Sequence, residues 1–257
     1  MDPMKEVKDK KKRIDQLLVE RHLAENHKMA MALIMAGKVI VNDQRVDKPA
    51  QLVHPESVIR IKGQKAYVSR GGDKLASAIR HFKLEESLDG KIVLDIGAST
   101  GGFTDCALKH GAQQVVALDV GDNQLDWSLR VNPKVVSLEN TDIRAFKPSN
   151  HPAFDWILAD ISFNGFGRLA PYIVQAGSPF TRFLLLVKPQ FELSSTKVPK
   201  GGVIFDQALR DEALQKAISS FEHLGLSHLG SVDSEVKGRS GNQEIFILMQ
   251  LVPPGQS

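Results

Sequence analysis

The stretch that decides the fold is Ile92-Val93-Leu94-Asp95-Ile96-Gly97-Ala98-Ser99-Thr100-Gly101-Gly102-Phe103-Thr104. The apolar residues around Asp95 predict a buried strand, and the helical spacing of apolar residues from Phe103 to His110 predicts a helix. The glycines between these two elements predict a tight turn. A strand, a glycine-rich turn and a helix amino terminus together form the edge at which parallel α/β sheets bind nucleotide-like ligands.

The chemistry of this turn narrows the class of ligand. The turn lacks G-x-G-x-x-G spacing and contains no Lys or Arg, and Asp95 stands where a ligand would approach. A carboxylate repels a pyrophosphate but suits a positively charged ligand such as S-adenosylmethionine, which carries an ammonium and a sulfonium group. A second apolar strand ends at Asp119, which is placed for ribose hydroxyls. We therefore expect a methyltransferase, the alternative being an ordinary strand-turn-helix packed through glycines. The expected cofactor contacts are Asp95, Gly97, Ala98, Ser99, Thr100, Gly101, Gly102 and Asp119.

Charge is distributed unevenly along the 257 residues, whose net charge is +3. Residues 1–65 hold 14 Lys and Arg against 9 Asp and Glu, a balance of +5, whereas the remainder holds 19 against 21, a balance of −2. This pattern favours a phosphate-contacting module joined to a near-neutral catalytic body. The alternative is a solvated lysine-rich tail.

Cysteine content and hydropathy bear on the compartment. One Cys excludes an internal disulfide framework and fits a reducing environment. No apolar run approaches the roughly 18 residues of a membrane helix, and the charged amino terminus lacks the apolar core of a signal peptide. We therefore expect a cytoplasmic protein without membrane contact.

The pattern predicts two domains of different class. Residues 1–64 should form a small basic α+β domain with an amino-terminal arm, residues 65–70 a linker, residues 71–252 an α/β domain and residues 253–257 a disordered tail. In the small domain, a helix from about Lys28 to Ala36 should end at Gly37 and bury four residues. These residues are Met29, Ala32, Leu33 and Ile34.

The larger domain should contain a Rossmann-like sheet of seven strands. The predicted strands are Ile92–Asp95, Val115–Asp119, Val135–Leu138, Trp156–Asp160, Phe183–Val187, Leu226–Val232 and Glu244–Leu251. Helices between most of them imply a parallel, doubly wound sheet. The loop from Asp233 to Gln243 is too short for a confident crossover helix, so the last strand should be antiparallel.

This topology gathers charged residues at one sheet edge. Asp160 and Lys188 end strands there, and an antiparallel last strand begins there at Glu244. Lys74, at the start of the preceding helix, can join them. Each residue alone is best explained as a surface charge, but four that converge beside a predicted methyl donor indicate a catalytic site.

The small domain resembles the RNA-binding domain named after ribosomal protein S4. The resemblance rests on Arg13-Ile14-Asp15 and on the segment from Ala32 to Asn42, which includes Ala36-Gly37-Lys38-Val39. That family usually opens its second helix with Ser-Arg, whereas this chain has Asn26-His27-Lys28. The resemblance implies RNA contacts by the basic residues of this region, and a further contact is expected just after it. The candidates are Arg13, Lys28, Lys38, Arg45 and Arg70. No metal site is predicted, because no Cys or carboxylate cluster accompanies the histidines.

The whole chain resembles the TlyA (hemolysin A) family of ribosomal RNA 2′-O-methyltransferases, whose catalytic half is FtsJ-like. The matching stretches are Ser69-Arg70-Gly71-Gly72-Asp73-Lys74-Leu75, Asp95 to Asp105, Val187-Lys188-Pro189-Gln190-Phe191-Glu192 and Gly241-Asn242-Gln243-Glu244. The resemblance implies a class I methyltransferase sheet, S-adenosylmethionine as cofactor, and ribosomal RNA or ribosomal subunits as partner. We further expect a monomer. The resemblance makes Lys74, Asp160, Lys188 and Glu244 a catalytic tetrad. It also makes Asp119 and Asp142 candidates for ribose and adenine contacts, and places Asp160 beside the cofactor.

Two roles for Lys188 stay open at this point. It could remove the proton of a ribose hydroxyl as a general base, or remain charged and stabilise the developing alkoxide. Base methylation at an exocyclic amine would favour an Asn-Pro-Pro-aromatic turn, whereas this chain has Asp160-Ile161-Ser162-Phe163. A cysteine nucleophile is disfavoured because Cys106 falls inside a predicted helix.

Two non-enzymatic classes are alternatives. A ribosome-associated RNA-binding factor could keep the fold without turnover, but all four tetrad positions hold the expected residues. A membrane-lytic hemolysin is disfavoured by the missing spanning segment.

Overall fold

The computed structural model describes residues 11–21, 23–63, 66–162 and 165–251. Most of the predicted amino-terminal arm and the predicted tail at 253–257 lie outside these residues. The chain divides into two compact units between residues 65 and 66, which we call the amino-terminal unit and the carboxyl-terminal unit. Each unit has its own apolar core. Within the described part of the chain, none of the helices has both the length and the apolar character that a membrane crossing requires.

The amino-terminal unit is a small α+β fold. Its elements are β1 (Lys12–Arg13), α1 (Ile14–Glu20), α2 (His27–Met35), β2 (Val39–Val41), β3 (Gln44–Val46), β4 (Leu52–Val53) and β5 (Ile59–Ile61). β1 pairs with β4, and β2 is the centre of a three-stranded antiparallel sheet with β3 and β5. Asn42 and Asp43 join β2 to β3 with positive φ angles, as a two-residue hairpin turn requires.

The end of α2 before Gly37, whose φ angle is +63°, agrees with the predicted stop, but the buried face of the helix differs from the prediction. Asn26 caps the helix by accepting a hydrogen bond from the Met29 N–H. Ala30 and Ile34 are the buried residues, whereas Met29 is 48% exposed and Ala32 is also exposed. The prediction for those two residues was wrong because a short helix against a three-stranded sheet buries one narrow stripe.

The carboxyl-terminal unit contains a seven-stranded sheet. Its strands are β6 (Ile92–Ile96), β7 (Gln114–Leu118), β8 (Val135–Leu138), β9 (Trp156–Ala159), β10 (Arg182–Val187), β11 (Leu226–Asp233) and β12 (Ile245–Leu251). Its helices are α3 (Arg70–His81), α4 (Gly102–Lys109), α5 (Trp127–Arg130), α6 (Phe166–Gln175), α7 (Pro189–Glu192) and α8 (Gln207–Glu222), with short 3₁₀ turns at Ile143–Ala145 and Pro148–Asn150.

The strand order is β11-β12-β10-β9-β6-β7-β8. β12 is antiparallel to both of its neighbours, and the pairs between β10, β9, β6, β7 and β8 are parallel. The predicted α/β class and the antiparallel last strand are therefore confirmed. We call the edge at which the parallel strands end the carboxyl edge; β12 begins there.

Alternating side chains along the strands fill two cores, one on each face of the sheet. Leu94, Leu185 and Val187 contribute to the core that includes residues of α6 and α8. Val93 and Leu186 contribute to the core that includes residues of α3 and α4. Because both faces are covered, the central strands β6, β9 and β10 are apolar except for Asp95 within β6 and Arg182 at the start of β10.

Candidate active site

The glycine-rich turn after β6 is held by backbone contacts with neighbouring strands. The Gly97 N–H donates to the Leu118 carbonyl oxygen at 2.8 Å, and the Gly97 φ angle is +80°. A Cβ at this position would lie 2.7 Å from the Asp160 carbonyl oxygen. Glycine is therefore required, because the turn must pass directly against the backbone that carries Asp160.

The Ser-Arg-Gly-Gly-Asp-Lys motif places the start of α3 against the start of α4. Ser69 caps α3 by accepting a hydrogen bond from the Gly71 N–H. A Cβ on Gly102 would lie 2.8 Å from the Gly72 nitrogen, so the two helix starts touch through backbone. This contact explains why position 102 is glycine, and it fixes Lys74, one turn into α3, relative to the turn after β6.

Asp95 is fully buried within β6 rather than open at the strand end. Its Oδ2 accepts a hydrogen bond from Thr104 Oγ1 at 2.6 Å, and its Oδ1 has no partner within the described residues. The pKa of Asp95 is raised to about 7, mainly by burial; hydrogen bonds from Thr104 oppose this rise, and the nearby carboxylates of Asp160 and Asp119 add to it. An unpartnered buried carboxylate oxygen is an unmet demand for a donor or a cation.

Asp119, the predicted ribose contact, holds the turn through two backbone N–H groups. Its Oδ2 accepts the Ser99 N–H at 2.8 Å, and its Oδ1 accepts the Gly121 N–H at 2.7 Å. Ser99 has a positive φ angle of 48°, a strained conformation that this hydrogen bond stabilises. Each carboxylate oxygen keeps a second lone pair for a ligand hydroxyl.

Replacing Asp119 with alanine should therefore weaken S-adenosylmethionine binding by about 1–3 kcal/mol, the scale of a hydrogen bond to a charged group. Calorimetry on the folded variant measures the change. Asp122→Ala is the matched control, because Asp122 is exposed in the same loop and accepts a hydrogen bond from the Asn140 side chain. Wild-type affinity in Asp119→Ala would remove Asp119 from the cofactor site.

Asp142 lies after β8 but is held by a neighbouring arginine. Its two oxygens accept hydrogen bonds from the Arg144 guanidinium at 2.9 and 2.6 Å and from the Arg144 N–H at 2.8 Å. Arg144 accordingly holds the pKa of Asp142 below its usual range. An adenine contact by Asp142 stays a prediction, and it would have to share the carboxylate with Arg144.

Glu139 is a residue of this edge that the sequence reasoning missed. It directly follows β8 and accepts the N–H groups of Gln124 and Leu125, and it pairs with Arg130 at 3.0 Å. The Leu125 N–H is the main cause that lowers the Glu139 pKa. Glu139 therefore shapes the loop next to Asp119. The acidic end of a third strand was the available signal.

Lys188 and Asp160, both predicted catalytic residues, form an ion pair. Lys188 Nζ lies 2.6 Å from Asp160 Oδ1 and donates a hydrogen bond to Ser162 Oγ at 2.7 Å. Both side chains are largely withdrawn from solvent. Among the described residues Asp160 Oδ1 accepts no well-aligned hydrogen bond. The contact with Lys188 is therefore held by the attraction of opposite charges and not by a directional hydrogen bond. Ser162 is a second contact of Lys188 that the sequence reasoning did not identify.

Lys74 and Glu244, the other two predicted catalytic residues, form a buried ion pair. Lys74 Nζ donates to Glu244 Oε2 at 2.6 Å, across 170 residues of sequence. A Cβ on Gly238 would lie 2.5 Å from Glu244 Oε1, so the loop before β12 covers this carboxylate. Removing either partner would leave an uncompensated buried charge, which is strongly destabilising.

Strand register brings the two ion pairs to the same edge. Val187 of β10 pairs with Ile245 of β12, so Lys188 and Glu244 are the next residues along each strand beyond that pair. The structure thus gathers the four residues at the carboxyl edge as two lysine–carboxylate pairs. Such pairs can accept or donate a proton, and their lysines can stabilise a developing negative charge.

Cys106 is removed from this chemistry. It is buried in α4, and burial raises the pKa of its thiol to about 12. The thiolate that a nucleophilic mechanism requires is therefore not formed near neutral pH.

The predicted RNA contacts of the amino-terminal unit differ in availability. Lys28, Lys38 and Arg45 are exposed, with the Arg45 guanidinium packed over Gly37. Arg13 is engaged by the buried Asp15, through bonds of 3.0 and 2.6 Å. Arg70, in the carboxyl-terminal unit, is exposed at the first position of α3.

Two family models match the chain. One, described as FtsJ-like methyltransferase, matches residues 67–251, and the other, the S4 domain, matches residues 12–59. The 16S/23S rRNA (cytidine-2′-O)-methyltransferase TlyA of Mycobacterium tuberculosis is 39% identical over 241 residues, which cover 93% of this chain and 89% of the relative. Hemolysin A of Brachyspira hyodysenteriae is 39% identical and covers 90% of this chain and 97% of the relative.

A solved structure from Streptococcus thermophilus, described as a candidate hemolysin, is also similar. It matches with a TM-score of 0.70 at 33% identity and covers 95% of this chain and 90% of that chain. The similarity therefore extends over both units. This chain belongs to the FtsJ-like methyltransferase family and, within it, to the TlyA and hemolysin A proteins that carry an amino-terminal S4 domain.

Proposed function

We propose that this protein transfers a methyl group from S-adenosylmethionine to a ribose 2′-hydroxyl of ribosomal RNA, in the cytoplasm and as a monomer. The observation that carries the proposal is the pairing of Lys188 with Asp160 and of Lys74 with Glu244 at the carboxyl edge, beside the glycine-rich turn. The relative from Mycobacterium tuberculosis, named as an rRNA (cytidine-2′-O)-methyltransferase, supports the choice of substrate.

The residues of the carboxyl edge fit S-adenosylmethionine. Asp95 offers a buried, unpartnered oxygen to a cationic ligand, and Asp119 offers lone pairs to ribose hydroxyls. The turn itself, Gly97, Ala98, Ser99, Thr100, Gly101 and Gly102, presents backbone at the amino terminus of α4. When bound, the cofactor supplies an activated methyl group.

The tetrad would act on the acceptor hydroxyl. A ribose hydroxyl is a weak nucleophile that must lose its proton during attack, and Lys188 is the group we assign to that proton or to the negative charge left behind. Asp160 and Ser162 orient the Lys188 ammonium. The buried Lys74–Glu244 ion pair lies at the same edge, and its lysine supplies a second positive charge. Holding the hydroxyl in line with the methyl group is itself a large part of such catalysis.

The test is transfer of labelled methyl groups to isolated ribosomal subunits, followed by mapping of the modified nucleotide. A matched RNA with a 2′-deoxy sugar at the mapped nucleotide should accept no methyl group. Methylation of that deoxy RNA would show that the acceptor is a base atom, and the ribose assignment would fall.

The amino-terminal unit should supply RNA affinity and not chemistry. Deleting residues 1–65 should leave cofactor binding nearly intact, because the carboxyl-terminal unit has its own cores and contains all the proposed cofactor contacts. RNA affinity should fall by about 100-fold or more at physiological salt, since the excess positive charge is removed. Calorimetry and filter binding give the two affinities, and unchanged RNA binding by the truncated protein would refute this division of labour.

A further inference from the structure

Phe205 is the most exposed large apolar side chain in the part of the chain that the structure describes, at 86% of its surface. It lies in the segment between α7 and α8, and Asp206 next to it caps α8. Because α7 directly follows the end of β10, this segment lies on the carboxyl-edge side of the sheet. An aromatic ring that is held in solvent at such a place has no role in packing.

Asn242 ties the segment before Phe205 to the loop that leads into β12. Its Oδ1 accepts the Ile204 N–H at 2.8 Å, and its Nδ2 donates to the Gly202 carbonyl oxygen at 2.7 Å. Asn242 and Ile204 are both buried, so these bonds form a fixed anchor. Asn242 lies two residues before Glu244. Phe205 therefore directly follows a segment that is anchored two residues before Glu244 in the sequence.

Two exposed cations lie on the loop before β12, where the Gly238 N–H donates to the Asn242 carbonyl oxygen at 2.9 Å. Lys237 and Arg239 are exposed and flank Gly238, whose backbone lies against the Glu244 carboxylate. Within the described residues neither side chain forms an ion pair, whereas Arg210 and Lys197, on the neighbouring elements, are paired with Asp233 and Glu212. The two charges on the loop before β12 are thus free for phosphate groups.

On the basis of the proposed function, we propose that Phe205 is a substrate-positioning residue that stacks on a nucleobase at or beside the methylated nucleotide, while Lys237 and Arg239 bind the flanking phosphates. Aromatic rings with adjacent basic side chains are the usual elements of single-stranded RNA recognition. A protein partner is less well matched, because the neighbours of Phe205 in sequence are the buried Ile204 and the charged Asp206, so the ring is not part of an exposed apolar run.

A series at position 205 tests the stacking. The full chain is assayed for single-turnover methyl transfer at saturating cofactor while the concentration of ribosomal subunits is varied. Phe205→Ala and Phe205→Leu should raise the half-saturating subunit concentration about ten-fold or more, the scale of one lost base–aromatic stack. Phe205→Trp should stay near wild type because it keeps an aromatic face. Cofactor affinity should not change in any of the three.

Phe180→Ala is the matched control. Phe180 is also exposed, but it precedes β10 and so lies at the opposite edge of the sheet. This variant should behave as wild type. An equal loss in Phe180→Ala and Phe205→Ala would show a general effect of removing surface aromatics and would overturn the assignment.

Salt dependence separates the stack from the phosphate contacts. Lys237→Gln and Arg239→Gln should each reduce the slope of log affinity for ribosomal RNA against log salt by about 0.7. Phe205→Ala should weaken binding at every salt concentration with the slope unchanged. An unchanged slope in both lysine and arginine variants would remove the phosphate contacts from the proposal.

The outcomes for this inference and for the proposed function are distinguishable. If the wild-type chain transfers methyl groups and the Phe205→Ala and Phe205→Leu variants have the same half-saturating subunit concentration as the wild type, the stacking role is overturned. The proposed ribose methylation is then unaffected. No methyl transfer by the wild-type chain refutes the proposed function, and filter binding of naked ribosomal RNA then still measures the stack. A Phe205→Ala defect on intact subunits but not on naked RNA would identify a protein contact and overturn the inference.

Discussion

Replacing Lys188 with alanine should abolish most single-turnover methyl transfer while the affinities for cofactor and RNA stay near wild type. Its Nζ is 2.6 Å from Asp160 and 2.7 Å from Ser162, so the ammonium is fixed at the carboxyl edge, where we propose that the acceptor hydroxyl reacts. A group that handles the proton or the charge of that hydroxyl acts mainly in the transition state. We expect a rate reduction of about 10²–10⁴-fold, the range of general acid–base catalysis.

Arginine at position 188 distinguishes the two roles of the lysine. Lys188→Arg keeps the positive charge but cannot readily remove a proton, and its planar guanidinium requires a different geometry. Activity nearly as low as in Lys188→Ala would indicate proton removal. Partial activity would indicate that Lys188 stabilises charge.

Lys91→Ala is the matched control for this series. Lys91 Nζ lies 3.5 Å from Asp155 Oδ1, so it is also a lysine–aspartate pair of this sheet, but Lys91 comes just before β6 at the opposite edge. It should retain wild-type transfer. A Lys188→Ala enzyme with near wild-type single-turnover rate would remove Lys188 from the chemistry, whatever its effect on binding.

The sheet and its ligand edge were predictable because they follow from period and topology. Apolar strands that end within one residue of Asp95, Asp119, Asp160 and Lys188 place those residues near one edge whichever way the helices pack. The short loop before Glu244 then fixed the direction of β12. Both inferences succeeded because the lengths of the connections allow only a few arrangements of the strands.

Side-chain partners were not predictable to the same degree. Asp142 is engaged by Arg144 and Arg13 by Asp15, and both partners lie two residues away along the chain. A spacing of two says nothing about whether the side chains turn towards each other, because that depends on local backbone angles. For the same reason the second contact of Lys188, with Ser162, emerged only from the structure.

The burial of Asp95 predicts a pH-dependent stability. The folded state keeps the Asp95 proton until about pH 7, whereas an unfolded aspartate loses it near pH 3.8. Between these values the folded state binds more protons than the unfolded state, so the contribution of Asp95 to the free energy of unfolding decreases as pH rises. Above about pH 7 both states are ionised, and the contribution becomes constant at its least favourable value.

Asparagine at position 95 should therefore stabilise the carboxyl-terminal unit at high pH relative to wild type. Asn mimics the protonated acid and can still accept the Thr104 hydrogen bond. Contributions of all other groups cancel in the difference between the two proteins. Between pH 5 and pH 8 that difference should shift in favour of Asp95→Asn by on the order of 2–3 kcal/mol, since one pKa unit corresponds to about 1.4 kcal/mol.

Urea unfolding of both proteins at a series of pH values measures this shift. Binding of S-adenosylmethionine provides a second, independent test of the Asp95 protonation state. A cationic ligand beside Asp95 favours the ionised carboxylate, so cofactor binding by the wild type should release a proton near pH 6.5. Calorimetry in buffers of different ionisation enthalpy detects that proton, and Asp95→Asn should release less. Parallel stability curves for the two proteins would show that Asp95 is ionised in the fold. Equal proton release by the wild type and by Asp95→Asn would show that Asp95 does not interact with the positive charge of the cofactor.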